Sequence, residues 1–331
     1  KYKITKLISE KKLNKKQIID PKNISNFFNI LNSGNILIDE KTCSIYLETI
    51  LDKRFNLIKK EDPIYFLKSI KNDVEIKNMI KTHIIDGVAL TKFIYWLKTK
   101  KKLNITEVDA QNKLEKFRKM NSKYLFPSFQ TIAGSGKNGA IIHYRARKNN
   151  TKLLKKDEIF LCDSGGQYKF GTTDVTRTIC FKSQNKGIKD IFTNVLKGHI
   201  AVIQSDLNKK KTGKLIDFEA RRFLKKNGLD YKHGTGHGVG FFLNVHEGPQ
   251  AISKQNSIKI QNGMVLSNEP GYYKKDKFGI RIENLIYANK VGNKLIFKNL
   301  TLAPIEKDLI NFELLTKSER DYIFKYHYEV Y

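Results

Sequence analysis

The stretch His233-Gly234-Thr235-Gly236-His237-Gly238-Val239-Gly240 constrains the fold more than any other part of this 331-residue chain. Glycine loses more backbone freedom on folding than any other residue, and it is placed where backbone or ligand comes too close for a side chain. Four alternating glycines are too expensive to order for a purely structural role, and they exclude a helix through the run. The run is not a phosphate loop, because it lacks the Lys-Ser/Thr ending and no helix pattern follows directly. Neither is it an HExxH zinc helix, which has different histidine spacing and little glycine.

The acids add to the picture. Asp163 and Asp174 stand eleven residues apart, with Gly165, Gly166 and Gly171 between them. Residues 159–163 and 173–181 read as strands, so a glycine-containing hairpin can set the two carboxylates side by side. Two facing carboxylates repel and need a shared proton or a cation. The plainer reading has Asp163 starting a turn and Asp174 pairing with Arg177 at the surface. Glu269 lies in Asn268-Glu269-Pro270-Gly271, at a strand end before a forced turn. Glu283 lies on a strand expected over 279–288, where alternation sets Arg281 and Glu283 on one face, as an ion pair or an edge charge. Taken together, four carboxylates and one imidazole form the ligand set of a binuclear site for hard or borderline divalent ions. Such a pair of ions holds a hydroxide at neutral pH and clamps an attacked carbonyl.

Charge points elsewhere but weakly. The net charge is +29, yet only nine of the 62 basic residues are Arg, the side chain that reads bases and phosphates best. The lysines are spread through nearly every segment, so they read as codon bias and a solvated surface, with no specific nucleic-acid partner expected. Cys43, Cys162 and Cys180 are scattered without a CxxC, which implies a reducing compartment, the cytoplasm. No apolar run reaches 18 residues, so no membrane partner is expected. The chain starts at Lys1, and a fragment is expected.

Residues 36–39 read as a strand and 42–57 as a helix. A shift in periodicity at residue 71 marks a domain boundary. Asn72-x-x-Glu75 and Thr106-x-x-Asp109 look like capping boxes opening a long helix and a second one that ends near Met120. Helices are expected over 186–206 and 214–227, and a strand over 264–268.

Six motifs, at residues 163–168, 171–178, 233–240, 245–249, 269–273 and 279–284, follow one another in an order and spacing that resemble the pita-bread metallopeptidases. Within these the chain is similar to the Xaa-Pro aminopeptidases, from about Lys60 onward. The resemblance implies an α+β fold. A pita-bread catalytic domain with a curved, antiparallel-rich sheet and flanking helices would span 72–300. A remnant of a partial α/β middle domain would precede it over 1–71, and a C-terminal extension that stops abruptly would follow over 301–331. It implies two divalent ions, most often Mn2+, held by Asp163, Asp174, His237, Glu269 and Glu283. Asp174 and Glu283 would bridge, Asp163 would complete one ion's shell, and His237 and Glu269 would serve the other.

By the same resemblance His143, His233, His246 and Glu269 are catalytic, with His233 lining a proline-ring pocket. Arg281 would orient a ligand carboxylate, and Tyr273 would add a hydrogen bond. His83, His199 and His327 lack motif context and read as structural. The implied reaction is hydrolysis of the N-terminal Xaa-Pro bond by a hydroxide held between the ions, on peptides with proline second, in a homodimer. A prolidase acting on Xaa-Pro dipeptides is the rival. A non-catalytic binding module on the same fold is a remote one, since such modules usually lose the ligands present here.

Overall fold

In the computed structural model, which describes residues 2–100 and 102–331, the chain divides into two units, residues 1–65 and 66–331. The first is built on two parallel strands, Asn35–Ile38 and Asn56–Lys59, joined through the helix Ile45–Asp52. Parallel neighbours need such a crossover. Ser44 caps that helix by accepting the Leu47 amide, and Ile38, Leu51 and Phe55 form the core beneath it. The helix is shorter than the sequence pattern over 42–57, because the short stretch Phe55-Asn56-Leu57-Ile58 is long enough for a strand but does not by itself distinguish strand from helix.

The second unit carries the chemistry. Its longest helix, Asp73–Lys98, opens on the Asn72/Glu75 capping box, and Glu107–Lys119 opens on the Thr106/Asp109 box. Both reciprocal pairs satisfy amides that have no partner within the helix. These helices cover a three-stranded antiparallel sheet ordered Ile132–Ser135, Phe160–Ser164, Val175–Ile179. Leu90, Phe93, Leu97 and Leu114 of the helices meet Phe160, Cys162 and Val175 of the sheet in one core. Each large apolar side chain buried there contributes about 1.5–3 kcal/mol.

A second antiparallel sheet, ordered Val265–Asn268, Asn284–Val291, Lys294–Asn299, packs against the helices Lys186–Ile203 and Gly213–Lys225 through Val202, Ile216, Ala220, Leu266 and Ile286. A hairpin of Gly271–Lys274 and Phe278–Arg281 and the C-terminal helix Lys317–Val330 complete the scheme needed for the site. The predicted strand over 279–288 is broken at Ile282–Glu283, where the chain passes from this hairpin into the second sheet. Among the described residues no helix is long and apolar enough to cross a membrane.

Candidate metal centre

Strand alternation decides which side chains reach the site. On Phe160–Ser164, Phe160 and Cys162 enter the helix-side core, so Leu161 and Asp163 point to the other face. Asp163 pairs with Thr176 across the ladder, which makes Asp174, two residues earlier, its diagonal neighbour. Asp174 lies just outside the strand Val175–Ile179 rather than within the predicted 173–181, because the preceding chain turns back through Gly166–Tyr168 and Gly171–Thr172.

The surface pairing of Asp174 with Arg177 does not occur. Arg177 has the opposite parity and is buried. Its guanidinium donates to the carbonyls of Thr176, Glu283, Ala303 and Pro304, to Asn284 Oδ1 and to the Tyr326 hydroxyl.

The other ligand-type groups arrive from the far sheet and the glycine run. His237 lies on the short strand Gly236–His237, paired with Ala251–Ile252. Its Nδ1 donates to the Gly238 carbonyl at 2.9 Å. Nε2 is therefore the bare nitrogen, 3.4 Å from Asp174 Oδ2 and 3.5 Å from Glu269 Oε1. Ser267 orders this corner, accepting the His237 amide at 2.9 Å and donating to Glu269 Oε1 at 3.0 Å.

Glu283 accepts from the Thr176 hydroxyl at 2.7 Å, and that hydroxyl accepts from Arg281 Nε at 3.0 Å. Arg281 also donates to Asp163 Oδ2 at 2.6 Å and to the Tyr273 hydroxyl at 2.6 Å. Tyr273 is then free to donate to His233 Nε2, 2.9 Å away, since His233 Nδ1 faces the Gly234 carbonyl.

At this centre three groups of donor atoms each lie within 4.8 Å: Asp163, Asp174 and Glu283; His237, Glu269 and Glu283; and Asp174, His237 and His246. Asp174, His237 and Glu283 each belong to two groups, and His246 enters one although the sequence motifs gave it no ligand role. The electrostatics are unbalanced. Burial pushes the carboxyls of Asp174 and Glu283 well above their usual range, the charges of Asp163 and Glu269 add to this at both, Asp174 adds to it at Glu283, and Arg281 offsets only part. Asp163 is raised by burial despite the opposing charge of Arg281. Its Oδ1 is buried with no hydrogen-bond partner among the described residues. Several buried carboxylates facing one guanidinium, one orphaned oxygen and a bare imidazole nitrogen fit a pair of divalent ions.

The centre opens into a cavity of about 640 Å3 lined also by His143, His233 and His246. His143 and His246 are exposed, and the His246 ring lies 3.8 Å from that of His237, centre to centre. The remaining histidines lie elsewhere: His83 bonds the Met79 carbonyl, His199 the Asn268 carbonyl, and His327 accepts the Ile305 amide. Sequence reasoning missed Thr176 and Ser267, although strand parity with Asp174 and Glu269 could have flagged both. It also missed Arg177's partners, which no local signal reveals.

Residues 77–290 match the sequence model of metallopeptidase family M24, and residues 293–331 match the C-terminal region of peptidase M24. Aminopeptidase P2 of Arabidopsis thaliana is 46% identical over 286 residues, covering 83% of this chain and 40% of the relative. A probable Xaa-Pro aminopeptidase P of Laccaria bicolor is 42% identical over 313 residues, covering 90% and 48%. The chain thus spans less than half the length of these curated relatives. Among solved structures, an X-prolyl aminopeptidase from Caenorhabditis elegans, described as a cytosolic enzyme with a di-nuclear active site, superposes with a TM-score of 0.78 at 36% identity, covering 85% of this chain and 47% of that one. A prolidase from Pyrococcus furiosus gives 0.72 at 28% identity, covering 86% and 80%.

Proposed function

The chain belongs to metallopeptidase family M24 and has its pita-bread fold, and from that premise we propose that it hydrolyses the N-terminal Xaa-Pro bond of peptides. The observation that carries this reading is the convergence of Asp163, Asp174, His237, Glu269 and Glu283 in overlapping groups linked through Glu283, with one Asp163 oxygen left without a hydrogen-bond partner among the described residues. These five would hold two ions, with Asp174 and Glu283 shared, and Mn2+ suits the oxygen-rich set. When bound, such ions supply Lewis acidity and a water that ionises near neutral pH.

The protein's own groups do the rest. Glu269, steadied by Ser267, accepts the proton of the attacking water. The carbonyl oxygen builds up negative charge at the cavity wall where His246 and His143 stand, and their N–H groups stabilise it. The nitrogen of a Xaa-Pro bond carries no proton of its own, so one of these imidazoles must deliver one as proline departs. His233, held by Tyr273, lines the pocket for the proline ring. Arg281 fixes Asp163, and the substrate's free amino group sits against the acids, limiting cleavage to the first residue.

The setting we infer is a cytoplasmic homodimer without a nucleic-acid partner. A prolidase shares fold and centre, and Arg-Pro-Pro cut in preference to Gly-Pro separates the aminopeptidase from it. The deciding assay compares the wild type with Asp174→Asn in Mn2+, where turnover is expected to fall by more than about 100-fold. Equal turnover would remove Asp174 from the mechanism and the reading with it.

A further inference from the structure

Next to His246 stands an acid that the reaction above does not use. Glu247 is buried at 7% exposure, on the loop facing the glycine run. Its Oε2 accepts from Lys68 Nζ at 2.8 Å and from Asn244 Nδ2 at 3.1 Å. Its Oε1 lies 3.9 Å from Lys71 Nζ, an ammonium with a wholly buried side chain and no hydrogen bond among the described residues. Burial lowers the Lys71 pKa to about 8 despite the attraction of Glu247. Lys71 is itself fixed, its amide donating to the Gly263 carbonyl at 3.0 Å.

The Glu247 backbone connects this anchor to both imidazoles. Its amide donates to the Gly238 carbonyl at 2.8 Å, the same oxygen that receives His237 Nδ1–H at 2.9 Å. One residue earlier, His246 packs on the His237 ring. The glycines make room for this. A Cβ on Gly238 would strike the Glu247 carbonyl, and one on Gly240 would sit 2.7 Å from the Asn244 carbonyl and 3.1 Å from the Glu247 carboxylate. Two of the four alternating glycines are thereby accounted for by the approach of a single loop.

We propose that Glu247, anchored between Lys68 and the buried Lys71, is a positioning residue that holds His237 in its Nε2-bare tautomer and sets His246 over the centre. The inference rests on the metallopeptidase reading, and Glu247 acts through His237 and His246 rather than by touching substrate itself. Losing such an outer partner costs about 10–100-fold in metal affinity or activity.

Glu247→Gln keeps the shape and removes the charge; Glu247→Ala removes the anchor. Both are expected to lower kcat by about 10–100-fold with KM within about twofold, and to weaken Mn2+ binding by a similar factor in calorimetry. Adding Lys71→Met to Glu247→Ala relieves the unpaired buried cation and is expected to restore the melting temperature but not kcat. If kcat recovers together with stability, the role is merely structural and the proposal falls. It falls equally if Glu247→Gln, folded as the wild type, keeps kcat and Mn2+ affinity within twofold. A wild type that neither binds Mn2+ nor cleaves peptides would defeat the metallopeptidase reading, and the metal-free protein would still judge Glu247. Long-range 15N–1H spectra are expected to show His237 as one Nδ1–H tautomer in the wild type and as a mixture in Glu247→Ala; identical spectra would overturn the proposal.

Discussion

Asp86 and Asp174 are buried to nearly the same degree, 3% and 4% exposed, but they titrate in opposite directions. Burial pushes both carboxyls up. At Asp86, on the helix Asp73–Lys98, Arg118 answers with two hydrogen bonds of 2.7 and 3.1 Å and Tyr168 with one of 2.6 Å, so the acid ends below its usual range. At Asp174 the charges of Asp163 and Glu269 add to burial, and Arg281 together with a hydrogen bond to Glu283 offsets only part of it. The difference teaches that burial alone does not set a carboxyl's charge; the donors around it do. One site is complete within the protein, and the other leaves its acids short of opposing charge, as the proposed pair of cations requires.

Removing the acid should have opposite consequences at the two places. Asp86→Ala leaves Arg118 buried and unpaired, and a loss of about 3–5 kcal/mol is expected in urea unfolding. Asp174→Asn relieves repulsion, so the metal-free variant should unfold no earlier than the wild type, however badly it fails as an enzyme. Equal destabilisation at both sites would break the comparison.

The next effect is that of the ions. The raised carboxyls of the centre hold protons more tightly in the folded chain, so their contribution to stability is full below their unfolded values, 3.8 for Asp and 4.5 for Glu, and fades as pH climbs through the raised folded values. Asp86 behaves conversely: its contribution is present above its unfolded pKa and lost as pH falls through its lowered folded value. Mn2+ at 100 times its dissociation constant should add about 2.7 kcal/mol. Because ions and protons compete, the gain should be larger at about pH 8 than at about pH 5, as read by thermal shift in chelator-treated samples. A gain that shrinks with pH would mean the ions bind elsewhere.

The smallest effect tests the edge of the centre. Burial pushes the Tyr273 hydroxyl up to about 12, so it stays protonated between Arg281 and His233. Tyr273→Phe removes both bonds and should cost about 1 kcal/mol of transition-state stabilisation, roughly fivefold in kcat/KM. An unchanged value would show that His233 keeps its place without it.

Much of this was legible beforehand because the chemistry sits beside punctuation. His237 and Glu269 adjoin glycine or proline and Asp163 stands two residues before Gly165, where a sequence departs most visibly from ordinary periodicity. The capping boxes at Asn72 and Thr106 were readable for the same reason: each is a local pattern with a local cause. What could not be read depends on distant partners. The strand Asn56–Lys59 exists because Asn35–Ile38 lies beside it, and four residues carry no helix-or-strand signal of their own. Arg177 resembled a surface partner for Asp174 until the parity of its strand and its partners near residues 303 and 326 were known. Glu247 had no reason to stand out until Lys71 was found beneath it.

The Arg177 guanidinium fastens the Glu283 carbonyl to Ala303, Pro304 and a tyrosine 149 residues further along. A chain emerging from the ribosome therefore owns every ligand-type residue well before it owns the brace that keeps one of them in place. On the proposed reading, cations could be held firmly only after that brace is made, and a cut within the helix Lys317–Val330 would silence the centre without touching it.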